Sequence, residues 1–594
     1  MLVEYYFKVR SLSASERIPV LTGALVTLTV FPWLMDPINI PKLLVLVLGA
    51  GVSISFGIFN NGLKYEFKNN KIFNLLIISF IFFLILSSLV APQNFYTSLI
   101  GMWSRNNGLL CYLAFIALFL SVARSKKIAV ANYIVSSLTF LGFVFGIYAW
   151  LQYFKLDFMQ KLFPWYNFKS IIALTLGNSN FASVFLGLTF TASIGYFLNA
   201  DNSKILRIGA LTSTGIQWLL VPYLDTQGKL IYAVGGSIAF GSWLSSSNSR
   251  KIKIISFFWW LSTAIIGILG VTGLWGIGPF AQMLANNVVN LKDRYYHWLA
   301  AVNMIRDNLI FGVGIDSFGD FHRRYRVIES IEARGTPLTG TDNAHNVFLQ
   351  LGATAGLPLM IIYLLLVVFI TWRGIEAFRL QQNKLVVGTL LGIWIGYQVQ
   401  SLISVDQIGV GVWSWIVGGA LFGLSKVDIN LSETINLGQS TSNKLDKVRS
   451  KSRYRVLLAV TLIPSVLVLP TVINENRVFQ KWNTLALSKS EAEVVVNSKP
   501  LFVETLKSNQ PKLRSTISDY LGKAGSIEEA LQLAQQTTID FPNYLAAWNL
   551  VATIYETNNK IDLAIQARSK TVELDPLNEI FKSKLAQDQA SIIK

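Results

Sequence analysis

Cysteine is all but missing from this chain, with Cys111 alone among 594 residues. It stands inside an apolar stretch, so no intrachain disulfide is possible and cysteine usage says nothing of redox compartment. Charge is scarce as well: 14% of residues are charged against 52% hydrophobic, and mean hydropathy is +0.47. That balance belongs to polytopic membrane proteins. Histidine occurs three times, never in an H-E-x-x-H pattern. The acids of the longest polar loop (Asp293, Asp316, Asp320, Glu329, Glu332 and Asp342) match no metal-ligand spacing and read as solvated, so no metal and no other cofactor is expected. The chain also lacks a Gly-x-x-x-x-Gly-Lys phosphate loop, which removes ATP-driven export. Acids are outnumbered, 33 to 51 Lys and Arg, giving a net charge of +18. Nucleic acid is not the reason. From residue 476 onward there are 14 basic and 13 acidic residues, so the excess lies between apolar stretches, where it sets membrane orientation.

What is present is a long series of apolar runs. Thirteen can cross a bilayer by length, from 18–35 through 346–371, 384–402 and 406–425 to 455–475. Basic residues fall on alternate connections, among them Lys64/Lys68/Lys71, Arg124/Lys126/Lys127, Arg250/Lys251/Lys253 and the run from Lys444 to Arg455. Placing these inside makes residues 1–17 cytoplasmic and puts loop 277–345 and the carboxyl-terminal tail outside. The expected fold is all-α. A polytopic helical bundle occupies 18–425, and a basic linker with a last span occupies 426–475, about 12–13 spans in all. A helical domain fills 476–594. Within it, residues 525–557 and 559–591 align at a period of 34: Ile527 with Ile561, Ala530 with Ala564, Leu531 with Ile565, and Pro542 with Pro576. This pattern resembles tetratricopeptide repeats, helix pairs that stack as an α-solenoid and dock partner proteins. Near-neutral charge and the basic linker lead us to expect that this domain recruits a partner and stands apart from the chemistry.

Polar residues gather where apolar runs begin. The stretch 294–307 reads as a surface helix with Tyr295, Leu299, Val302 and Ile305 on an apolar face widened by Trp298 and Ala301. A turn follows at Gly312, Gly314 and Gly319. Next come Arg323, Arg324 and Arg326, read as facing lipid head groups, and then His345-Asn346 at the mouth of a new apolar run. Other openings carry Gly101 to Gly108 with Arg105, Gly177 to Phe181 with Asn178 and Asn180, and Asp225 to Lys229. On the expected topology every one maps to the same face. Ionisable groups there call for a functional account. His297 and His322 show no ligand spacing and read as surface or interface residues.

These motifs resemble the O-antigen ligase/polymerase superfamily. The resemblance covers roughly residues 20–425. It rests on Arg294, Trp298, Gly312 and Gly314; on His345, Asn346 and Gly356; on Gly101, Arg105 and Gly108; and on the run Gly177 to Phe181. It departs at Leu359, where a glycine is frequent, at Leu309, where proline is common, and at Lys229, where ligases often carry arginine. The resemblance implies a GT-C-like membrane glycosyltransferase of the bacterial inner (plasma) membrane. Such an enzyme moves a glycan from undecaprenyl pyrophosphate to an acceptor hydroxyl on a glycan, lipid or protein. Guanidinium forks suit phosphate oxygens, so Arg105, Lys229 and Arg294 are the expected pyrophosphate ligands. Asn178, Asn180 and Trp298 would shape the pocket. A neutral imidazole suits deprotonation of the hydroxyl, which makes His345 the expected base, with Asn346 orienting it. The alternative is a secondary transporter of a small anion such as bicarbonate, which would need its polar residues near the bilayer midplane.

Overall fold

The computed structural model describes residues 12–61, 70–92, 94–162, 171–274, 277–279, 282, 291–426 and 444–593. Among these it contains 25 α-helices and no strand. Lys64, Lys68 and the linker 427–443 lie outside the described residues. Six described helices are long and apolar enough to cross a membrane, and Leu109–Ala123 and Ile408–Leu424 are apolar but shorter. Other apolar runs form helices that are shorter, or more polar, than these six. The run 18–35, for instance, becomes the 15-residue helix Ala14–Leu28 followed by a turn. At 1.5 Å per residue such a helix is about 22 Å long, short of a hydrocarbon core of about 30 Å.

Helix Ile408–Leu424 is the axis of the bundle, and all of its residues are buried. Trp413, on this helix, donates from Nε1 to Thr27 Oγ1 at 2.9 Å. Beside it, Ser179–Leu198, Thr226–Ser245 and Lys384–Ser401 cross with their backbones nearly touching. Gly388, Gly392 and Gly396 recur every fourth residue and so share one face. A methyl group on Gly392 would lie 2.7 Å from the Gly235 carbonyl oxygen, and one on Gly235 would lie 2.3 Å from Thr191 Oγ1. Small residues at such crossings are how helices pack in lipid, where apolar burial drives no association. The periphery is different. Within the span Arg250–Gly270 only 6% is buried, and Ile254, Phe257 and Phe258 are exposed, as lipid-facing side chains should be. A lysine inside the bundle, Lys42, is fully buried. Its Nζ donates to Val26 O at 3.0 Å, Thr27 O at 2.9 Å and Thr29 O at 2.8 Å, closing the carboxyl end of the first described helix.

After the long helix Lys444–Ala486 come six shorter ones, from Glu491–Leu506 to Glu579–Ile593. Helices Ile527–Asp540 and Leu545–Thr557 pair, as do Ile561–Leu574 and Glu579–Ile593. Ala530 and Ala564, equivalent at the period of 34, are both fully buried. This region touches the bundle. Gln510 Nε2 donates to Gly101 O at 3.3 Å, and Lys512 Nζ reaches Ser104 Oγ at 3.3 Å. The arginines expected at lipid head groups are elsewhere. Arg326 binds Asp575 Oδ1 at 2.6 Å, Arg323 binds Asp575 Oδ2 at 3.2 Å, and Arg324 lies 3.9 Å from Glu573. Asp575 is fully buried. A carboxylate withdrawn from water needs such partners, and two guanidinium groups supply one to each oxygen.

Candidate functional site

The site is assembled around the short turn 402–407, between helices Lys384–Ser401 and Ile408–Leu424. Backbone carbonyls of this turn have no helical partner, and side chains from three distant segments take them. Arg294 Nη1 donates to Ile403 O. Asn346 Nδ2 donates to Leu402 O at 3.0 Å, and Asn107 Nδ2 donates to Asp406 O at 2.5 Å. Trp298 packs its ring on Ile403 and Leu402. Gln227 completes the link. With its amide oxygen turned to the guanidinium, it accepts from Arg294 Nη2 at 2.5 Å and donates to Asn180 Oδ1 at 3.0 Å. Burial lowers the Arg294 pKa to about 10, with Asp225 opposing. It stays charged at neutral pH.

Arg294 sits on helix Leu291–Asp307, which presents two faces. Tyr295 and Val302, from the expected apolar stripe, are exposed. The opposite stripe, Arg294, His297, Trp298, Ala301 and Met304, is buried at spacings of three and four. His297 is therefore no surface residue, and neither is His322; they are 5% and 3% exposed. The His297 ring stacks on His345 with centroids 5.2 Å apart and planes at 23°, and His322 meets His297 edge-on at 5.7 Å. Thus all three histidines of the chain form one cluster. Arg334 Nη2 lies 2.9 Å from His297 Nε2. Guanidinium can only donate, so that nitrogen is the acceptor and the proton of His297 is on Nδ1. Burial, then the Arg334 charge, lowers the His297 pKa to about 4.

His345 lies in the left-handed region, at φ +49°. Local hydrogen bonds hold this conformation, which costs a non-glycine residue roughly 1–3 kcal/mol. Asn343 Oδ1 accepts from His345 N at 2.9 Å, and Gln350 Oε1 accepts from Ala344 N at 2.8 Å. Asn346 then caps helix Val347–Ala355, its Oδ1 accepting from Leu349 N at 3.0 Å. The far end of that helix docks on the glycine turn: Val313 N donates to Ala353 O at 3.0 Å and Gly314 N to Thr354 O at 2.9 Å. Gly312 and Gly356 both have positive φ, and a Cβ on Gly356 would stand 2.0 Å from Ile310 O. This contact joins the two glycine motifs. Burial pushes the His345 pKa down to about 3, assisted by His297, Arg294 and Arg105. The imidazole is neutral, and the surrounding field is cationic.

Arg105 forms the other flank. Its Nε and Nη2 bind the two oxygens of Asp342 at 3.0 and 2.9 Å, and its guanidinium lies 6.0 Å from the Phe181 ring centroid. Burial raises the Asp342 pKa, but the guanidinium outweighs it and holds the carboxyl well below its usual range. Asp316 lies behind, accepting from Met102 N at 2.9 Å and Asn107 N at 3.1 Å. Burial raises its pKa to about 7. These two acids are structural partners of the site; the reading of them as solvated is corrected. So is that of Asp293, which pairs with Arg334 at 3.3 Å.

Of the candidates, Arg105, Asn180, Arg294, Trp298, His345 and Asn346 converge, the last with both ends of its amide engaged. Asn178 caps helix Ser179–Leu198 by accepting from Asn180 N at 2.8 Å. Lys229 is exposed on the first turn of its helix and reaches no protein partner among the described residues. Sequence reasoning missed Gln227, Asp316, Asp342 and His297. Their one signal was an amide or charge beside a motif, indistinguishable from an ordinary helix start or loop. Among the described residues, no three His, Cys, Asp or Glu side chains gather as a metal ion would require.

An all-helical bundle with several apolar spans defines the class: a multi-pass membrane protein. Comparison with known families narrows it. Residues 171–364 match the family model described as O-Antigen ligase. Over this stretch, about a third of the chain, the protein is similar to O-antigen ligases. The match spans Asn178, Asn180, Lys229, Arg294, Trp298, His345 and Asn346, and it excludes Arg105 and the carboxyl-terminal helices. No curated protein matches the chain.

Proposed function

We propose that this protein transfers an oligosaccharide or polysaccharide unit from a polyprenyl (undecaprenyl) pyrophosphate to an acceptor hydroxyl, with inversion and without a metal. The observation that carries the reading is the junction of Arg105, Arg294 and a neutral His345 at one end of the bundle, two of them within the family match. The donor pyrophosphate binds Arg294 and the remaining Nη1 of Arg105, and exposed Lys229 meets its outer charge. Asn180 and Gln227 hold Arg294 in place, Trp298 walls the pocket, and Asn178 and Asn346 fix the helix ends that carry the site. The acceptor oxygen attacks C1 of the sugar as the bond from C1 to the phosphate oxygen breaks. Its proton passes to His345, and the pyrophosphate leaves with both electrons, stabilised by the guanidinium groups. A base with a pKa near 3 is weak, but a bound pyrophosphate reverses the local field and raises it towards the useful range.

The site loop and the carboxyl-terminal domain face the outside of a bacterial inner membrane, in keeping with the alternating basic connections. The domain boundaries read from the sequence stand within this proposal, as does the tetratricopeptide character of the terminal helices with its protein partner. No observation favours anion transport, since the ionisable groups gather at one end. The test is glycan transfer in proteoliposomes from a synthetic undecaprenyl-pyrophosphate oligosaccharide, with chelator present. Transfer with an inverted linkage is expected. Absence of transfer alongside bicarbonate uptake would overturn the proposal.

A further inference from the structure

A cavity of about 450 Å³ lies between the site loop and the carboxyl-terminal helices, within the roughly 300–1,000 Å³ of small-molecule sites. The loop contributes Asp320, Arg323 and Asp342, and the terminal helices contribute Lys512, Tyr544 and Asn549. The cavity thus carries two acids and two bases, and its cations are already engaged. Asp342 holds Arg105, Arg323 holds Asp575, and Lys512 reaches Ser104. The charges of the lining side chains sum to zero, which favours no charged ligand. Hydrogen-bonding capacity is left over, however. The Asn549 amide and the Tyr544 hydroxyl line the cavity, and neither bonds to a protein group among the described residues. Phe581 adds an aromatic face. Asp342 also joins this cavity to the chemistry, since it lines the wall and binds Arg105, whose charge is felt at His345.

We propose that this cavity binds the acceptor as an uncharged, hydroxyl-rich saccharide, and that the carboxyl-terminal helices supply one wall of the acceptor site. The inference rests on the glycan-transfer reading and assigns its second substrate. Neutral hydroxyls match paired charges, free amide and phenol groups match their donors and acceptors, and an aromatic face matches the apolar side of a sugar ring. The terminal domain then acts on the acceptor directly, which is why it is latched to the site loop.

The test is binding of fluorescent full-length protein in detergent to an array of immobilised neutral oligosaccharides, acidic oligosaccharides and peptides. Ala546 lines the cavity from an exposed position, so Ala546→Trp fills the space without entering the core. Asn549→Ala removes hydrogen bonds without adding bulk. Binding to neutral oligosaccharides is expected in the wild type, lost in Ala546→Trp and weakened about tenfold in Asn549→Ala, the size of one hydrogen bond. Binding of undecaprenyl pyrophosphate should stay unchanged in both. No retention on neutral glycans, retention only on acidic glycans or peptides, or equal binding by Ala546→Trp would each overturn the inference. Loss of donor binding with acceptor binding would make the cavity part of the donor site and overturn it too. Array binding abolished by Ala546→Trp in a protein that transfers nothing would sink the transferase reading and leave a saccharide site.

Discussion

Removing Asp575 should undock the carboxyl-terminal helices from the site loop. Its carboxylate is fully buried and binds Arg323 and Arg326, while Asn578 Nδ2 donates to it at 2.9 Å. The Arg326 side chain is 2% exposed, so Asp575→Ala leaves a buried cation unpaired. Breaking such a pair costs about 3–5 kcal/mol. Arg326 retains Pro337 O at 2.9 Å and Thr339 O at 3.1 Å, which argues for the lower end. About 3 kcal/mol corresponds to roughly a hundredfold change in the docking equilibrium. Hydrogen exchange on the detergent-solubilised protein reads this directly. Peptides covering 318–342 and 571–582 should lose protection together by that factor, with those of helix Ile408–Leu424 unchanged. Replacing both partners with apolar residues, Asp575→Leu with Arg326→Met, should cost less than Asp575→Ala alone, because no charge is stranded. Unchanged exchange in Asp575→Ala would refute the latch. Loss confined to 571–582 would reduce Asp575 to a local cap.

Four further outcomes follow from the site. His345→Ala should cut single-turnover transfer about a hundred- to ten-thousand-fold with donor affinity retained; weakened donor binding, with activity kept in His345→Arg, would instead make the residue a phosphate clamp. Arg294→Lys keeps the charge but loses the planar fork that spans Ile403 O and Gln227, so turnover should fall about tenfold or more; wild-type kinetics would remove Arg294 from the site. The three histidines are buried neutral, with folded pKa values of about 4 for His297, about 3 for His345 and well below the ordinary value for His322. The unfolded chain takes up protons first, near pH 6.5, so stability is complete above that pH and falls as pH drops towards the folded values. The loss is at most about 1.4 kcal/mol per histidine per pH unit, visible as a lower Tm at pH 5.5 than at 7.5; His322→Phe should flatten the slope, and a pH-independent Tm would contradict the cluster. Finally, the latch puts Glu329 and Ser569 on one side of the membrane, so Glu329→Cys and Ser569→Cys should both react with impermeant maleimide in intact cells. Ser330 is buried and unsuited to this. Protection of both would reverse the orientation, and labelling of one alone would contradict the latch.

Helix content and the helix pairs at a period of 34 were legible in the sequence, because apolar periodicity and glycine punctuation act locally. So was the idea that Arg105, Arg294 and His345 belong together, since each stands where an apolar run begins. Burial of a loop was not legible. His297 and His322 sit in polar surroundings in sequence and lose their water only when helix Leu291–Asp307 packs its Trp298–Ala301–Met304 face inward. Nor could Asp575 be matched to Arg326, some 249 residues away. One carboxylate among 33 acids carries no mark of its partner.

The glycine-lined crossing has a consequence for how mutations in this protein will be interpreted. Where the three helices cross, an added atom meets backbone at Gly392 and short, buried side chains, Thr191 and Ser242, at Gly235 and Gly388. A substitution at Gly235, Gly388 or Gly392 must wedge whole helices apart, and Gln227, on the amino-terminal turn of one of them, travels with the displacement. Arg294 would then lose its amide partner through damage about two to four turns along that helix. A mutational scan scored by activity will therefore mark a buried ladder of glycines as strongly as the residues beside the pyrophosphate. Only a measurement of helix spacing will tell the lever from the hand.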